Sequence, residues 1–226
     1  MTELIVITGA AGALGRAVVD EFVARAVPVV AMDQAGPRLD VLTQVDGVHP
    51  VPVDLTDVVE VTRAWEEVDS IGTPVALVCV AGGFTGGSLE RTDQATLDAM
   101  LGINLATALW SCRAAAPRMR AAGGGSIVTV GSRTGVIGSG PVAYAAAKAA
   151  LIRATEVLAD ELRADRIRAN CVLPSVIDTP ANRSWMSAAV IARAVSPAAI
   201  ARVVAFLCSD DAAPISGAAI PVYGDA

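Results

Sequence analysis

The stretch LIVITGAAGALGRAVV, residues 4–19, decides how the rest of the chain is read. Residues 4–9, LIVITG, form an apolar run of strand length that ends in glycine. A helix-like stretch then runs from Ala13 to about Val27. Gly9, Gly12 and Gly15 fall at the junction. Glycines between a strand and a helix permit a tight turn and let the backbone approach a pyrophosphate. The following helix offers free N–H donors and the positive end of its dipole. The segment predicts the first βα unit of a nucleotide-binding sheet. The plainer alternative is an ordinary glycine-rich βα turn.

The same alternation continues outward. Strand-like runs stand at 28–33, 48–55, 74–83, 125–132, 167–174 and 218–224. Helix-like segments stand at 56–70, 93–121, 142–164 and 197–208. Nearly continuous apolar strands alternating with helices predict a parallel sheet covered on both faces. The 226 residues suggest one domain spanning residues 1–226. Residues 175–196 hold no confident element. A segment that long predicts a lid or substrate loop, with a pair of short surface helices as the alternative.

Composition excludes several classes of function. The net charge is −6 without a basic run, which argues against nucleic acid or an anionic membrane as partner. Mean hydropathy is +0.55. No stretch reaches the ~18 uninterrupted apolar residues of a spanning helix, and no signal peptide is evident. A cytoplasmic location is expected. Cys79, Cys112, Cys171 and Cys208 form no CxxC pair and read as buried small hydrophobes. His49, the only histidine, reads as structural, so no metal is expected.

Asp33 closes the second predicted strand. A carboxylate there can bond both hydroxyls of an adenosine ribose and repels a 2′-phosphate, which points to NAD. Arg38 is close in sequence and leaves NADP possible. A simple loop carboxylate is the alternative. The other decisive feature is AYAAAKAAL, residues 143–151. Lys148 is the only lysine beside sixteen arginines, and it follows Tyr144, one of two tyrosines, by four positions. Residues four apart share one helix face. An ammonium beside a phenol favours the phenolate and lowers its pKa from about 10. Such a phenol exchanges protons with an alcohol or carbonyl near neutral pH. A surface Tyr and Lys on an exposed face is the bland alternative.

With these motifs the chain resembles the short-chain dehydrogenase/reductase family from Leu4 to Gly224, and VLPSVIDTPANR and CVAGGFTGG also resemble its dihydropteridine reductase branch. The resemblance implies a Rossmann-like doubly wound sheet of about seven strands. It implies an NAD(P)-dependent oxidoreductase with Asn104, Ser132, Tyr144 and Lys148 as catalytic residues. Tyr144 is then the general acid/base. Lys148 lowers its pKa and anchors the nicotinamide ribose, Ser132 donates to the substrate oxygen, and Asn104 supports a water beside Lys148. The implied cofactor contacts are Gly9, Gly12, Ala13, Leu14, Gly15, Asp33, Asp54, Leu55, Ala81, Gly82, Tyr144, Lys148, Pro174, Ile177 and Thr179. Three positions depart from the family pattern. Ala13 replaces a glycine, Cys79-Val80-Ala81-Gly82 replaces Asn-Asn-Ala-Gly, and Pro174-Ser175 replaces Pro-Gly.

Phe84, Trp185 and Met186, together with Ser132, are the candidates for contacting a small-molecule substrate. Arg133 and Arg183 are the nearby cations. The expected reaction is hydride transfer between NAD(H), with NADP(H) as a possible second cofactor, and a small carbonyl or secondary alcohol. An NADH-dependent dihydropteridine reductase is the alternative. A non-catalytic NAD-binding sensor is the alternative of another class. The alanine-rich helix predicts a homo-oligomer, a tetramer or dimer.

Overall fold

A computed structural model describes residues 2–225. Seven parallel strands form one sheet in the order β3-β2-β1-β4-β5-β6-β7. The first half comprises β1 (Glu3–Thr8), α1 (Ala13–Ala24), β2 (Val29–Asp33), the short α2 (Pro37–Asp40), β3 (Val48–Pro52) and α3 (Val58–Ile71). Then come β4 (Thr73–Cys79), α4 (Gln94–Leu101), α5 (Thr107–Ala122), β5 (Gly125–Val130), α6 (Val142–Glu161) and β6 (Ile167–Pro174). Two one-turn helices, α7 (Pro180–Arg183) and α8 (Ala188–Ile191), precede α9 (Pro197–Cys208) and β7 (Ala219–Val222). This is the Rossmann-like α/β architecture.

Successive side chains of a strand point to opposite faces, and both faces of this sheet are buried. Ile5 and Ile7 of β1 pack with Val18 and Phe22 of α1 and with Ile200 and Val204 of α9. Leu4 and Val6 pack on the other face with Trp65 of α3, Met119 of α5 and Leu151 of α6. Each such buried Leu, Ile or Val contributes roughly 1.5–3 kcal/mol relative to exposure. The strands therefore read as continuous apolar runs.

Helix ends follow local chemistry. Asp57 caps α3 by accepting from the backbone N–H of Val59 and Glu60. Ser196 caps α9, with Pro197 in its first turn. The helix expected over 93–121 is real but not uniform: residues Gly102–Ala106 form a π-helical turn between α4 and α5. Such turns cluster at functional sites. The segment 175–196 carries the two one-turn helices, and its ends are joined by a parallel bridge between Ile177 and Val195.

The strand order reverses between β1 and β4. In open parallel sheets a ligand crevice opens at that point, beyond the carboxyl ends of the strands. The loop after β1 and the loop after β4 meet there. A Cβ on Gly9, whose φ is +68°, would lie 2.6 Å from the backbone nitrogen of Ala81.

Candidate active site

A cleft of about 890 Å³ occupies the switch point. Gly9, Gly12, Ala13, Leu14, Gly15, Asp33, Asp54, Leu55, Ala81, Gly82 and Thr179 all line it. At Gly15 an added Cβ would overlap the Gly9 carbonyl oxygen and stand 2.8 Å from the Ala10 Cα, so glycine is required by close backbone packing. Gly12 is the N-cap of α1, and no side chain caps that helix end. Ala13 opens the helix, so the missing family glycine leaves the turn intact.

Asp33 holds the loop in place. Its Oδ2 accepts from the Ala11 N–H at 2.8 Å, and its Oδ1 accepts from the Gln34 N–H at 2.8 Å. Asp54 accepts from the backbone N–H and hydroxyl of Thr56 at 2.9 and 2.6 Å, which holds its carboxyl below the usual range. A glycine cradle under an uncapped helix end, with a carboxylate at the β2 terminus, fits a nicotinamide dinucleotide. Its pyrophosphate would lie over Gly12–Gly15 and its adenosine between Asp33 and Asp54. Arg38 also lines the cleft.

Beyond the cleft's inner end stand the four candidate catalytic side chains. Tyr144 and Lys148 share one face of α6. The Lys148 Nζ lies 6.0 Å from the Tyr144 ring centroid and donates to the Val130 carbonyl oxygen at 2.7 Å. Lys148 is buried at 4% exposure. That burial pulls its pKa down to about 8, opposed by the Cys171 thiol. Burial also raises the Tyr144 pKa, with the Ser132 hydroxyl acting the other way. The expectation of a lowered phenol is therefore corrected for the protein alone. Desolvation outweighs the Ser132 hydroxyl, and the ammonium is turned toward a backbone carbonyl.

Ser132 follows β5 and caps the turn Arg133–Gly135. Its Oγ lies 2.8 Å from the Thr134 Oγ1. Asn104 sits in the π-turn, buried. Its Nδ2 donates to the carbonyls of Gly83 and Met100 at 2.9 and 3.1 Å, and its Oδ1 accepts from the Gly83 N–H at 3.1 Å. A Cβ on Gly82 would stand 2.9 Å from the Asn104 Oδ1 and 3.3 Å from the Lys148 Nζ. Gly82, Asn104 and Lys148 thus meet at one point, although the family's asparagine pair is absent from this loop.

Two of the three aromatic or apolar candidates gather beside Tyr144. The Phe84 ring meets Tyr144 edge to face at 5.1 Å and stacks on Trp185 at 6.1 Å. Met186 is half-buried, and its backbone N–H is tied to the Asn182 carbonyl. Pro174 and Ile177 do not line the cleft. Pro174 is buried at the end of β6, paired with Val222, and Ile177 packs against the core from its bridge to Val195. Ser175, in place of the family glycine, donates its hydroxyl to the Tyr223 carbonyl at 2.7 Å. Arg183 is held by Asp178, and the Arg133 guanidinium lies over the Tyr223 ring.

Sequence reading missed Thr134, the Val130 carbonyl, and Ile103, Pro180 and Ala181 in the cleft wall. Thr134 could have been found from its place two residues after Ser132. A backbone acceptor such as Val130 carries no side-chain signal. No helix among the described residues is long and apolar enough to cross a membrane.

A parallel sheet with a glycine-cradled cleft at its switch point defines a dinucleotide-binding α/β protein. A family model described as short chain dehydrogenase matches residues 3–189, and the chain belongs to the short-chain dehydrogenase/reductase family. It is 31% identical to meso-2,3-butanediol dehydrogenase of Serratia marcescens, covering 99% of this chain and 94% of that protein. It is also 31% identical to a 3-oxoacyl-[acyl-carrier-protein] reductase of Thermotoga maritima, covering 98% and 96%. The crystal structure of a short-chain dehydrogenase/reductase family oxidoreductase from Burkholderia thailandensis superposes with a TM-score of 0.89 at 35% identity, covering 99% of this chain and 92% of that one. The chain is accordingly an NAD(P)-dependent oxidoreductase, and the non-catalytic sensor reading is set aside.

Proposed function

We propose that the enzyme interconverts a ketone and a secondary alcohol, with NAD(H) preferred and Tyr144 as general acid/base. The observation that carries this reading is the convergence of Tyr144, Lys148, Ser132 and Asn104 beyond the inner end of the cleft. When bound, the nicotinamide supplies or accepts the hydride. In reduction, the Tyr144 phenol gives its proton to the carbonyl oxygen as negative charge develops there. Ser132 donates a second hydrogen bond to that oxygen, where preorganised donors count most. Thr134 fixes the Ser132 hydroxyl. Lys148 sits beside Tyr144 with a pKa of about 8, so its ammonium can return a proton to the phenolate. A cationic nicotinamide near the phenol would offset the burial that now raises its pKa.

NAD preference rests on Asp33, whose carboxylate lines the cleft and would face a 2′-phosphate. The names of the butanediol and 3-oxoacyl relatives support carbonyl chemistry without fixing the substrate. A dihydropteridine-reductase-like activity is the second reading, favoured by the flat aromatic surface beside Tyr144. The proposal treats residues 1–226 as one cytoplasmic domain with its substrate loop at 175–196. It includes a homo-oligomer, because Ala146, Ala149, Arg153 and Val157 leave one stripe of α6 exposed. Light scattering tests that assembly.

The activity test is NADH consumption with ketones and diketones, run beside Tyr144→Phe. Turnover that falls at least a hundredfold in the variant, with NADH binding retained, supports the assignment. Equal turnover in both proteins overturns it.

A further inference from the structure

We propose that the site takes a substrate whose reacting carbon is attached to a planar aromatic ring, held by Phe84 and Trp185. This rests on the oxidoreductase reading above and goes beyond it by naming the substrate class.

The first observation is the distribution of exposed apolar side chains. Thirteen large ones are exposed among the described residues, and seven of these stand on three segments, 80–93, 131–142 and 175–196. Those segments follow β4, β5 and β6, which are neighbours in the sheet. Two of their side chains, Phe84 and Trp185, gather beside Tyr144. Phe84, Leu89, Val136, Ile137, Val142 and Trp185 are the principal members. Scattered surface hydrophobics need no explanation, but an exposed aromatic pair beside a reactive group marks a binding surface.

The second observation is geometric. Phe84 and Trp185 are nearly parallel, with 11° between their planes, and Phe84 meets the Tyr144 ring at its edge. The two rings remain 54% and 61% exposed. They present flat faces next to the phenol that would hold the reacting oxygen. A flat ring attached to the carbonyl carbon would pack on these faces, in the offset-stacked or edge-to-face arrangements aromatic pairs prefer.

The third observation is the state of the lid's charges. Asp178 and Arg183 pair with each other, and Arg193 donates to the Asp225 backbone carbonyl. Arg133, after Ser132, lies over Tyr223. Only Arg183 is thereby neutralised; Arg193 and Arg133 keep their charge. The aromatic faces beside Tyr144 fit a flat, apolar body better than a polyol. The chemistry of the step is unchanged: hydride enters the carbonyl carbon, the π pair moves to oxygen, and oxygen takes a proton from Tyr144.

The test uses the full chain with NADH and three substrates: 1-phenylethanone, 2,3-butanedione and a quinonoid dihydropterin. 1-Phenylethanone should exceed both butanedione and the dihydropterin at least tenfold in kcat/KM. Trp185→Ala should raise KM for 1-phenylethanone about tenfold with a smaller change in kcat, and Trp185→Phe should restore most of the loss. Preference for butanedione or for the dihydropterin, which has no carbonyl carbon on an aromatic ring, or an unchanged 1-phenylethanone KM in Trp185→Ala, overturns the proposal. A binding arm is independent of turnover. Benzamide should quench tryptophan emission saturably, and the quench should vanish in Trp185→Phe, because Trp65 is buried and Trp110 half-buried. If neither ketone oxidises NADH, the ketone–alcohol reading proposed above fails. The quench then decides alone: saturable quenching through Trp185 upholds aromatic recognition, and none overturns it.

Discussion

Lys148 should lose its proton far below the pH at which an exposed lysine does, and the protein's stability should record the difference. The ammonium is almost fully buried and has one protein acceptor, the Val130 carbonyl. Burial brings its pKa from 10.5 to about 8. At about 1.4 kcal/mol for each pH unit, that difference corresponds to about 3 kcal/mol. The sign follows from proton counts. Below pH 8 both folded and unfolded chains carry the proton, and the full cost of burying the charge is present. Between about 8 and 10.5 the unfolded chain still holds a proton that the folded chain has lost, so stability rises with pH. Lys148→Met removes the titration and provides the reference. Between pH 7 and 9.5 the wild type should gain about 2 kcal/mol relative to that variant in urea unfolding. Because Lys148 is the only lysine, protein labelled with ¹³Cε-lysine gives one side-chain signal, and its chemical shift reports the midpoint directly. A midpoint above 10, or a pH-independent difference between the two proteins, would refute this account of the buried ammonium.

Other outcomes follow from single contacts. Gly15→Ala forces a methyl onto the Gly9 carbonyl, so it should cost more than about 3 kcal/mol in denaturant unfolding and abolish NADH binding measured by calorimetry. Asn104→Ala leaves the Gly83 N–H and carbonyl without their side-chain partner, and a stability loss of about 2 kcal/mol should accompany a drop in turnover. Asp33→Asn should weaken NADH about tenfold while narrowing the gap to NADPH, read as the ratio of the two Kd values.

Much of the fold was legible because its strands are buried on both faces, which makes them continuous apolar runs in sequence. Residues 167–174 and 197–208 came out with the boundaries observed in β6 and α9. The strand expected over 74–83 ends at Cys79, because Val80–Gly83 turn away to form the cleft wall and the partner of Asn104. The π-turn within 93–121 was not legible; Asn104 within it bonds both the N–H and the carbonyl of Gly83, a tertiary contact that residue spacing does not announce. The glycine loop, Asp33, Tyr144 and Lys148 were readable from residue type and spacing. The raised phenol was not, because it depends on how completely the α6 face is covered, a tertiary quantity. Phe84 and Trp185 lie 101 positions apart, and only the sheet topology brings their loops together.

The central claim is that Tyr144 passes the proton while a nicotinamide carbon exchanges hydride with the substrate carbon. Its most direct test is a single turnover with reduced cofactor carrying deuterium at the transferred position, in wild type and Tyr144→Phe. The account predicts deuterium on the carbinol carbon with the wild type. In the variant, transfer should slow by at least about a hundredfold while the cofactor Kd changes less than about twofold. Product without deuterium, or equal transfer rates in the two proteins, would contradict it.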